Sequence, residues 1–463
     1  MRSVKPVPLL LILIGSSRIL LLVSLLITLL DPHVCYPIFP SSSSFNNLIL
    51  PIRTQEIPSE SIPNSPHKLS FRHNISLTVS LQVGSPPQNV TMVLDTGSEL
   101  SWLRCNQTAR LPYNTSVITN STRSSSFDPS RSTSYVNVSC SSPTCTNRTR
   151  DFAIPVSCDG DQLCHTTLSY ADMSSAEGTL ASDVFRVGPA QDGYDTVFGC
   201  MFSGFSSNPD EDSKTTGLMG MNRGSLSFIS QMGFRKFSYC ISGTGLSGLL
   251  LLGDANFTWL APLNYTPLIE ISDPLPYFNR VAYTVQFEGI KVSDQPLTVS
   301  KSLLEPDHTG AGQTMVDSGT QFSYLLGPVY DSLRAEFLNQ TRDKLRVLDD
   351  PGFVFEGGMD LCYRVPINET VLPELPSVSL MFHGAEMRVS GDPLLYRVPG
   401  EMRENDAVYC FTFGNSDLLG VEAYVIGHHH QQNVWMEFDL FNSRIGLARV
   451  QCDQAVQKLG LDE

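Results

Sequence analysis

The sequence VLDTGSELSW, which runs from Val93 to Trp102, places one acid, Asp95, at the end of an apolar run with the character of a β-strand. A second stretch, MVDSGTQFSYL (residues 315–325), repeats the pattern around Asp317, 222 residues further along the chain. Either stretch alone is typical of an ordinary turn, because Asp and Gly are common turn residues. The repetition favours a shared chemical role, so the two acids are the first candidates for a functional site.

The surroundings of the two acids repeat as well. Each acid is followed, more than a hundred residues later, by two apolar residues and a glycine: GLMG ends at Gly220 and YVIG ends at Gly427. Two long halves of a sequence that contain the same motifs in the same order indicate a duplicated domain. We therefore expect Asp95 and Asp317 to face each other across a cleft between two halves, with Gly220 and Gly427 in equivalent structural roles.

Between these landmarks the chain consists of short alternating or apolar runs, such as ISLTVSLQVG and VAYTVQFEGIKV, separated by Gly, Pro, Asn and Ser. This pattern predicts an all-β protein with few helices. One amphipathic helix is expected after Gly327 and Pro328, because proline suits the first turn of a helix and apolar residues recur there at helical spacing. The expected apolar face consists of Val329, Leu333, Phe337 and Leu338.

Two facing carboxylates have a definite acid–base chemistry. At about 4 Å they repel each other by roughly 4 kcal/mol at an effective dielectric near 20, so they share one proton over a wide acidic range. The ionised carboxylate can take a proton from a water while its neutral partner donates one to a carbonyl oxygen. This chemistry hydrolyses an amide without a metal or a covalent intermediate.

The residues that follow each acid suit this task. The glycine of each motif allows a tight turn and exposes its backbone N–H to the carboxylate. The hydroxyls of Ser98 and Thr320 can hold the acids coplanar, and Thr96 and Ser318 can brace the two loops against each other. The supporting residues are therefore Thr96, Gly97, Ser98, Ser318, Gly319 and Thr320.

Composition excludes some classes of protein. Hydrophobic residues make up 41% of the 463 residues, enough for a substantial core. The net charge of −15 argues against a nucleic-acid-binding protein, for which basic stripes are expected. Acidity of this kind keeps a protein soluble and tolerates low pH, but it identifies no partner.

The N-terminus resembles a secretory signal over residues 1–30. Basic residues precede an apolar run of about a dozen residues, ILLLVSLLITLL at 19–30, whereas a membrane span needs about 20. If residues 8–30 act as one segment with Arg18 inside it, a signal anchor is the alternative. The following segment, 31–68, is rich in Ser and Pro and predicts a linker or a short pro-segment.

Glycosylation sequons support the secretory route, which leads to the endoplasmic reticulum, the vacuole or the cell exterior. Eleven Asn-x-Ser/Thr sequons occur, and such sequons mark surface segments of secreted glycoproteins. The candidate glycosylation sites are Asn74, Asn89, Asn106, Asn114, Asn120, Asn137, Asn147, Asn256, Asn264, Asn339 and Asn368.

Cysteine usage agrees with an oxidising compartment. The chain has eleven cysteines; without Cys35, which lies near the leader, ten remain, an even number that is compatible with five disulfides of undetermined pairing. Buried free thiols are the alternative, and no cysteine or histidine spacing indicates zinc. The disulfide candidates are Cys105, Cys140, Cys145, Cys158, Cys164, Cys200, Cys240, Cys362, Cys410 and Cys452.

With these motifs in place, the chain resembles the pepsin-type aspartic proteases, and among them the plant atypical, nepenthesin-like branch. The resemblance covers nearly all of residues 69–452 and rests also on FDPSRSTSYVNVSCSSPTC, SYADMSSAEGTLASDVF, FSYC and IGHHHQQNVWMEFDL. The stretch MVDSGTQFSYLLGPVYDSLRAEF is most similar to the promotion-of-cell-survival subgroup. The family implies an all-β bilobal fold of two related β-barrel-like lobes with an active-site cleft between them.

The resemblance also implies roles for individual residues. Asp95 and Asp317 would be the catalytic dyad, Tyr170 the tyrosine of a flap that closes over substrate, and Trp102 the indole whose N–H steadies it. Asp172 would belong to the same flap and would bind substrate together with Tyr170 and Trp102. Ordinary half-buried packing is the alternative for the two aromatic residues. The substrate would be an extended polypeptide, and a monomer without cofactor, metal or nucleic-acid partner is expected.

Domain boundaries follow from the same comparison. We expect an N-terminal lobe at 69–265, a C-terminal lobe at 266–452 and a tail at 453–463. A polar, sequon-dense insertion at 106–154 is expected to lie on the surface and to be tied down by its cysteines.

Four departures from the family pattern stand out. The flap has Ala171 where relatives commonly have glycine, and Cys105 lacks the additional neighbouring cysteines that many relatives have. The 31–68 segment is short for the pro-segment of a zymogen. The triplet His428-His429-His430 replaces the Asn and aromatic residue usual in relatives; three adjacent histidines rarely converge on one ion, so a partly exposed turn is the expectation.

Two functions are compatible with this scaffold. The first is an aspartic endopeptidase that is acid-active and pepstatin-sensitive. The second is a catalytically inactive inhibitor or binding protein on the same fold, like the plant xylanase-inhibitor relatives, which typically lose a catalytic motif. Asp95 and Asp317 both stand in complete motifs and Tyr170 is present, so the sequence favours the enzyme.

Overall fold

The computed structural model describes residues 47–56, 75–106, 126–188, 193–207, 209–243, 247–368 and 371–461. The predicted signal at 1–30, much of the 31–68 segment and the sequons at Asn74, Asn114 and Asn120 lie outside these residues. No helix of the described part of the chain has the length and apolar character that crossing a membrane requires.

Strands form most of the regular structure. Those of the first half are β1 (Leu48–Glu56), β2 (Ile75–Val83), β3 (Gln88–Asp95), β4 (Trp102–Arg104), β5 (Val136–Asn137), β6 (Ser157–Cys158), β7 (Cys164–Ser169), β8 (Ser175–Arg186), β9 (Tyr194–Phe205), β10 (Gly217–Gly220), β11 (Lys236–Ile241) and β12 (Ser247–Leu252). Those of the second half are β13 (Asn264–Pro267), β14 (Phe287–Val292), β15 (Gln295–Pro296), β16 (Gln313–Val316), β17 (Ser323–Leu325), β18 (Arg346–Val347), β19 (Cys362–Pro366), β20 (Val378–Phe382), β21 (Ala385–Val389), β22 (Leu395–Arg403), β23 (Asp406–Phe411), β24 (Phe413–Asn415), β25 (Ala423–Ile426), β26 (Val434–Asp439) and β27 (Arg444–Arg449).

Helices are short apart from one. The α-helices are α1 (Pro143–Asn147), α2 (Pro209–Lys214), α3 (Phe228–Met232), α4 (Gly327–Thr341) and α5 (Cys452–Lys458). Single 3-10 turns occur at Pro129–Arg131, Lys301–Leu303, Asp392–Leu394, Ser416–Leu419 and His428–Gln431. The predicted amphipathic helix is therefore present as α4, where Val329, Leu333 and Phe337 are fully buried.

The strands assemble into one large sheet and three small ones. A 15-stranded sheet runs from β13, β27 and β26 through β11, β12 and β1 to the first-half strands β2 to β10. The second half adds three four-stranded sheets, of which one contains β16, β25, β17 and β24. This mostly β, two-lobed architecture confirms the predicted fold class.

The two halves repeat the same local topology around each acid. In the first half, β10 pairs in parallel with β3, so that Gly220 lies opposite Asp95, and pairs antiparallel with β4. In the second half, β25 pairs in parallel with β16 and antiparallel with β17. Because β10 and β25 are the apolar-apolar-Gly segments of the sequence repeat, each of them fixes the strand that ends at an acid.

The segment predicted to be a linker is more ordered than its composition indicates. Leu48–Glu56 forms β1, which pairs antiparallel with β12 and with β2. Leu50 and Ile52 are 3% and 1% exposed, so this strand contributes to the core. A flexible linker therefore does not describe these nine residues.

The ten cysteines form five disulfides, as their even number predicted. The pairs are Cys105–Cys200, Cys140–Cys158, Cys145–Cys164, Cys240–Cys452 and Cys362–Cys410. Cys140 and Cys145 lie in the predicted insertion, and their partners lie in β6 and β7. The insertion is thus fixed to the strands that lead into the candidate flap.

Every sequon asparagine within the described residues is exposed, as glycosylation would require. These are Asn89, Asn106, Asn137, Asn147, Asn256, Asn264, Asn339 and Asn368.

Candidate active site

The first acid is positioned by a tight approach of neighbouring segments. Asp95 is the last residue of β3 and is 6% exposed. A Cβ atom added to Gly220 would lie 2.7 Å from the carbonyl carbon of Glu99, closer than real side chains come. Only glycine therefore lets β10 run directly beside the loop that follows Asp95.

In the second half, Asp317 is positioned by an equivalent close approach of two segments. Asp317 directly follows β16, and its amide donates a 3.0 Å hydrogen bond to the carbonyl of Ile426 in β25. A Cβ atom added to Gly427 would lie 2.6 Å from the carbonyl oxygen of Gln321. Gly220 and Gly427 thus have the equivalent roles that the repeat predicts.

Each acid lies over the glycine of the other motif. A Cβ atom on Gly97 would lie 2.9 Å from Oδ1 of Asp317, and one on Gly319 would lie 2.6 Å from Cγ of Asp95. The structure therefore brings Asp95 and Asp317 together as one site, although they are far apart in the sequence.

The two carboxylates have matching hydrogen-bond partners. Oδ1 of Asp95 accepts from the amide of Gly97 at 2.8 Å, and Oδ2 accepts from the hydroxyl of Ser98. The corresponding contacts of Asp317 are with the Gly319 amide at 2.9 Å and the Thr320 hydroxyl at 2.6 Å. Each carboxyl group is therefore held by one backbone amide and one hydroxyl of the turn that follows it.

The residues between the acids and glycines cross-link the two halves. The hydroxyl of Ser318 donates to the carbonyl of Leu94 at 2.9 Å, and the hydroxyl of Thr96 donates to the carbonyl of Val316 at 3.3 Å. Thr96 is fully buried and Ser318 is 2% exposed. These contacts fix the relative position of the two acid-bearing strands.

Burial and charge shift the acidity of this pair. Burial, followed by the neighbouring charge of Asp317, raises the pKa of the Asp95 carboxyl from 3.8 to about 7. Hydrogen bonds from Ser98 and Gly97 act in the opposite direction but do not offset these effects. The site therefore retains a proton well above the pH at which an exposed aspartate loses it.

The candidate flap residues lie next to the dyad. Tyr170 is at the turn between β7 and β8, and its hydroxyl accepts a 2.6 Å hydrogen bond from the indole Nε1 of Trp102. Ser98, whose hydroxyl donates to Asp95, lines the same cleft as Tyr170. Burial and the Asp95 charge raise the pKa of the Tyr170 hydroxyl, which keeps it neutral. Trp102 and Tyr170 are thus joined to each other beside the dyad.

An open cleft of about 1340 Å³ contains both acids. Its lining comes from both halves, including Tyr170 of the flap and the 274–282 loop. The insertion also contributes, because Asp151 lines the cleft. Asp151 forms a 2.6 Å ion pair with Arg280 of the 274–282 loop. The cleft is thus lined by residues of both halves, of the flap and of the insertion.

The histidine triplet is not the partly exposed turn that the sequence predicts. His428, His429 and His430 are 3%, 8% and 3% exposed and form a 3-10 turn. The ring of His430 contacts the hydroxyls of Ser323 at 2.7 Å and Thr412 at 2.9 Å. Partners distant in the sequence account for this burial, so the interpretation from local composition was wrong.

The triplet is hydrogen-bonded to the segment that follows the second acid, Asp317. The amides of His428 and His429 donate to the carbonyls of Thr320 and Gln321 at 2.8 Å each. Burial lowers the pKa of His429 to about 4. Within the described residues, no group of three or more His, Cys, Asp or Glu side chains is arranged to hold a metal ion.

Glu99 is an ionisable residue of this site that the sequence analysis did not single out. It is 8% exposed, and its Oε1 accepts a 3.0 Å hydrogen bond from the amide of Leu226. Burial raises the pKa of Glu99 to about 7. The signal was an acid inside the buried stretch VLDTGSELSW, four residues after Asp95.

Tyr239 and Gln431 form a second contact that the sequence analysis missed. The hydroxyl of Tyr239 in β11 donates to the side chain of Gln431 in the second half. The amide nitrogen of Gln431 donates to the carbonyls of Ile426 at 2.8 Å and Asp317 at 3.4 Å. The two side chains therefore connect the halves below the dyad.

Two duplicated β-halves, with an acid from each meeting below a flap, define a pepsin-like aspartic protease. Comparisons with known proteins agree. Family models described as xylanase inhibitor N-terminal and xylanase inhibitor C-terminal match residues 77–254 and 282–449. The chain is 63% identical over 418 residues to Aspartic proteinase PCS1 of Arabidopsis thaliana, which covers 89% of this chain and 90% of the relative.

More distant relatives lie in the same class. Aspartic proteinase nepenthesin-1 of Nepenthes gracilis is 28% identical over 377 residues, which is 81% of this chain and 77% of the relative. The crystal structure of basic 7S globulin from soybean is similar in fold, with a TM-score of 0.58, 19% identity and coverage of 87% of this chain and 96% of that one. The chain belongs to the plant atypical, nepenthesin-like aspartic proteases and is an aspartic endopeptidase, which confirms the family, the subgroup and the enzyme class expected from the sequence.

Proposed function

We propose that Asp95 and Asp317 hydrolyse peptide bonds by general acid–base activation of a water held between them. The observation that carries the proposal is the symmetric placement of the two carboxyl groups, each bound by its own glycine amide and hydroxyl. In this arrangement the ionised carboxylate accepts a proton from the water, and the neutral one donates a proton to the carbonyl oxygen of the scissile bond.

The proposed chemistry needs one proton on the pair. The raised pKa of Asp95 supports a singly protonated pair in acidic and weakly acidic solution. At higher pH both carboxyl groups are ionised and no acid remains to protonate the carbonyl oxygen. We therefore expect an acid-active enzyme, and pepstatin should inhibit it by occupying the cleft above the pair.

Substrates are expected to be polypeptides bound in an extended conformation. The open cleft of about 1340 Å³ supports this, because it contains both acids and is lined from both halves. Tyr170, steadied by Trp102, is proposed to close over the bound chain. Gly97, Gly319, Ser98 and Thr320 would keep the acids oriented, and a monomer would be sufficient because both acids come from one chain.

The secretory pathway is the proposed location. Five disulfides and exposed sequon asparagines support an oxidising, glycosylating compartment. The apolar run at 19–30 supports a cleaved signal, with a signal anchor as the alternative. N-terminal sequencing of the secreted protein distinguishes them, because a start beyond residue 30 excludes the anchor.

The direct test is digestion of a denatured protein at pH 3 to 6 by the purified enzyme, with and without pepstatin. Asp95→Asn and Asp317→Asn should each abolish cleavage, since an amide can supply neither the base nor the shared proton. Asp331→Asn is the matched control, because Asp331 is an exposed aspartate of helix α4. It should cleave like the wild type.

Two results would overturn the proposal. One is cleavage that persists in Asp95→Asn or Asp317→Asn. The other is a folded wild-type protein that binds polypeptides but does not cut them at any pH in this range, which would favour the inactive binding protein.

A further inference from the structure

The turn at the tip of the flap, residues 170–174, is held by hydrogen bonds that the proposed chemistry does not use. Asp172 is 9% exposed. Its Oδ1 accepts from the amide of Ser174 at 2.8 Å, and its Oδ2 accepts from the hydroxyls of Ser174 at 2.7 Å and Ser207 at 2.6 Å. Both carboxylate oxygens are thus engaged by donors of the protein itself.

Ser207 closes this network. Its amide donates to the hydroxyl oxygen of Ser174 at 3.0 Å, and the two hydroxyl oxygens are 3.1 Å apart. Ser207 is 6% exposed, and it lies 33 residues beyond Ser174 in the sequence. We refer to Asp172, Ser174 and Ser207 as the flap latch, because they join the flap tip to a separate segment of the lobe.

The segment that carries Ser207 is itself fixed. It follows β9, which stays paired with the flap strand β8 as far as the partners Ser175 and Phe205. It precedes helix α2, where Asp212 forms a 2.6 Å ion pair with Arg104 of β4. The latch therefore connects the flap tip to the body of the lobe and not to a free loop.

We infer that the flap latch is a positioning device, which keeps the flap ordered before substrate binds and so holds Tyr170 beside Ser98 and Asp95. In this role Asp172 is a tether for the flap tip, and Ser207 is a positioning residue. The inference rests on the proposed function, because it assigns Tyr170 to the closed flap. A hairpin without such a tether must be ordered during binding, and that cost weakens binding.

The kinetic consequence is specific. The flap is ordered in the substrate complex and stays ordered in the transition state, so the latch contributes equally to both. Loss of a contribution of this kind raises KM and leaves kcat nearly unchanged. Because hydrogen bonds to charged groups are among the stronger ones, we expect loss of the Ser207 hydroxyl to change the opening equilibrium of the flap by about tenfold.

Ser207→Ala tests the latch, with Ser130→Ala as a matched control. Ser130 also donates a hydroxyl hydrogen bond of 2.6 Å to an aspartate, Asp128, but on an exposed part of the surface. The measurements are kcat and KM on a fluorogenic peptide and the hydrogen-exchange rates of the amides at 170–174. In Ser207→Ala these amides should exchange about tenfold faster, and KM should rise by less than this factor, in proportion to the fraction of free enzyme whose flap is open, with kcat within about twofold of wild type. Ser130→Ala should change neither quantity.

A second comparison isolates the pair. In an Asp172→Ala background, adding Ser207→Ala should have no further effect on flap exchange, since the shared interaction is already absent. Full additivity of the two substitutions overturns the latch, as does a Ser207→Ala protein whose KM and flap exchange match those of Ser130→Ala. Failure of the proposed function is distinguished by Asp95→Asn, because a wild type that is no more active than Asp95→Asn fails as an enzyme while its flap exchange still reports on the latch.

Discussion

The backbone amide of Thr96 donates a 3.0 Å hydrogen bond to the hydroxyl of Ser318, and the amide of Ser318 donates one of 2.9 Å to the hydroxyl of Thr96. This exchange joins equivalent turns of the two halves behind the acids. Both residues are buried, so water cannot replace either partner. The distance between the carboxyl groups therefore depends on a contact that neither group makes.

Ser318→Ala removes the acceptor of the Thr96 amide and the donor to Leu94. A buried amide left without a partner costs about 1–3 kcal/mol, so the free energy of unfolding should fall by that amount. Urea unfolding at pH 5 measures it. The value of kcat should fall as well, because the acids lose their fixed separation. Ser300→Ala, at an exposed position, should leave both quantities unchanged, and equal behaviour of the two variants would contradict the prediction.

The activity of the dyad should persist to nearly neutral pH. The pKa of Asp95 is raised to about 7, and its cause is burial followed by the charge of Asp317. As pH rises through this value the pair loses its shared proton, and kcat/KM should decline with an apparent pKa near 7. A pH–rate profile from pH 3 to 8 measures this limb. A decline centred near pH 4, the range of an isolated aspartate, would show that the pair does not share a proton in this way.

Glu99 should limit stability on the alkaline side. Its pKa in the folded protein is raised from 4.5 to about 7, so its stabilising neutral form is fully present below pH 4.5 and is lost as pH rises through 7. The corresponding loss is about 3 kcal/mol. Glu99→Gln cannot ionise and still offers an oxygen to the Leu226 amide. Its free energy of unfolding relative to wild type should therefore increase between pH 4.5 and 7.5.

A matched substitution tests the assignment to burial. Glu305→Gln replaces an exposed acid by the same amide and serves as the control. Its free energy of unfolding relative to wild type should change less between pH 4.5 and 7.5 than that of Glu99→Gln. If the free energy of unfolding of Glu99→Gln relative to wild type changes no more with pH than that of Glu305→Gln, ionisation of Glu99 does not destabilise the folded protein.

The pairing of Asp95 and Asp317 could be predicted from the sequence because each acid lies in a short local motif and the motif occurs twice. Asp95 and Asp317 each stand beside a glycine and a hydroxyl residue, and both turns lie next to an apolar-apolar-Gly strand. The flap pair Tyr170 and Trp102 followed only from the resemblance, since 68 residues separate the two side chains that meet.

Other features could not be predicted because their burial depends on distant partners. His430 is enclosed by Ser323 and Thr412 and stacks on Phe413 at 4.1 Å between ring centroids, and nothing in the sequence HHH indicates these neighbours. The strand Leu48–Glu56 was missed because the Ser- and Pro-rich residues around it dominate the local composition. Its order comes from pairing with β12, some 200 residues away in the sequence.

The histidine triplet should limit stability on the acidic side. Burial lowers the pKa of His429 in the folded protein from 6.5 to about 4. The unfolded chain therefore binds this proton first, and stability that is present above pH 6.5 is lost as pH falls through 4. The loss amounts to about 3 kcal/mol for this side chain.

His429→Phe removes the titrating group while keeping an aromatic ring against Phe322, whose centroid lies 5.1 Å from that of His429. The carbonyl of Pro393, which contacts His429 Nε2 at 2.9 Å, keeps its hydrogen bond from Thr412 at 2.7 Å. The melting temperature of this variant should fall less than that of wild type between pH 6.5 and 4. His308→Phe is the control, because that side chain is 91% exposed and should leave the dependence on pH unchanged. An equal fall of the melting temperature in His429→Phe and in wild type between pH 6.5 and 4 would contradict the assignment to His429.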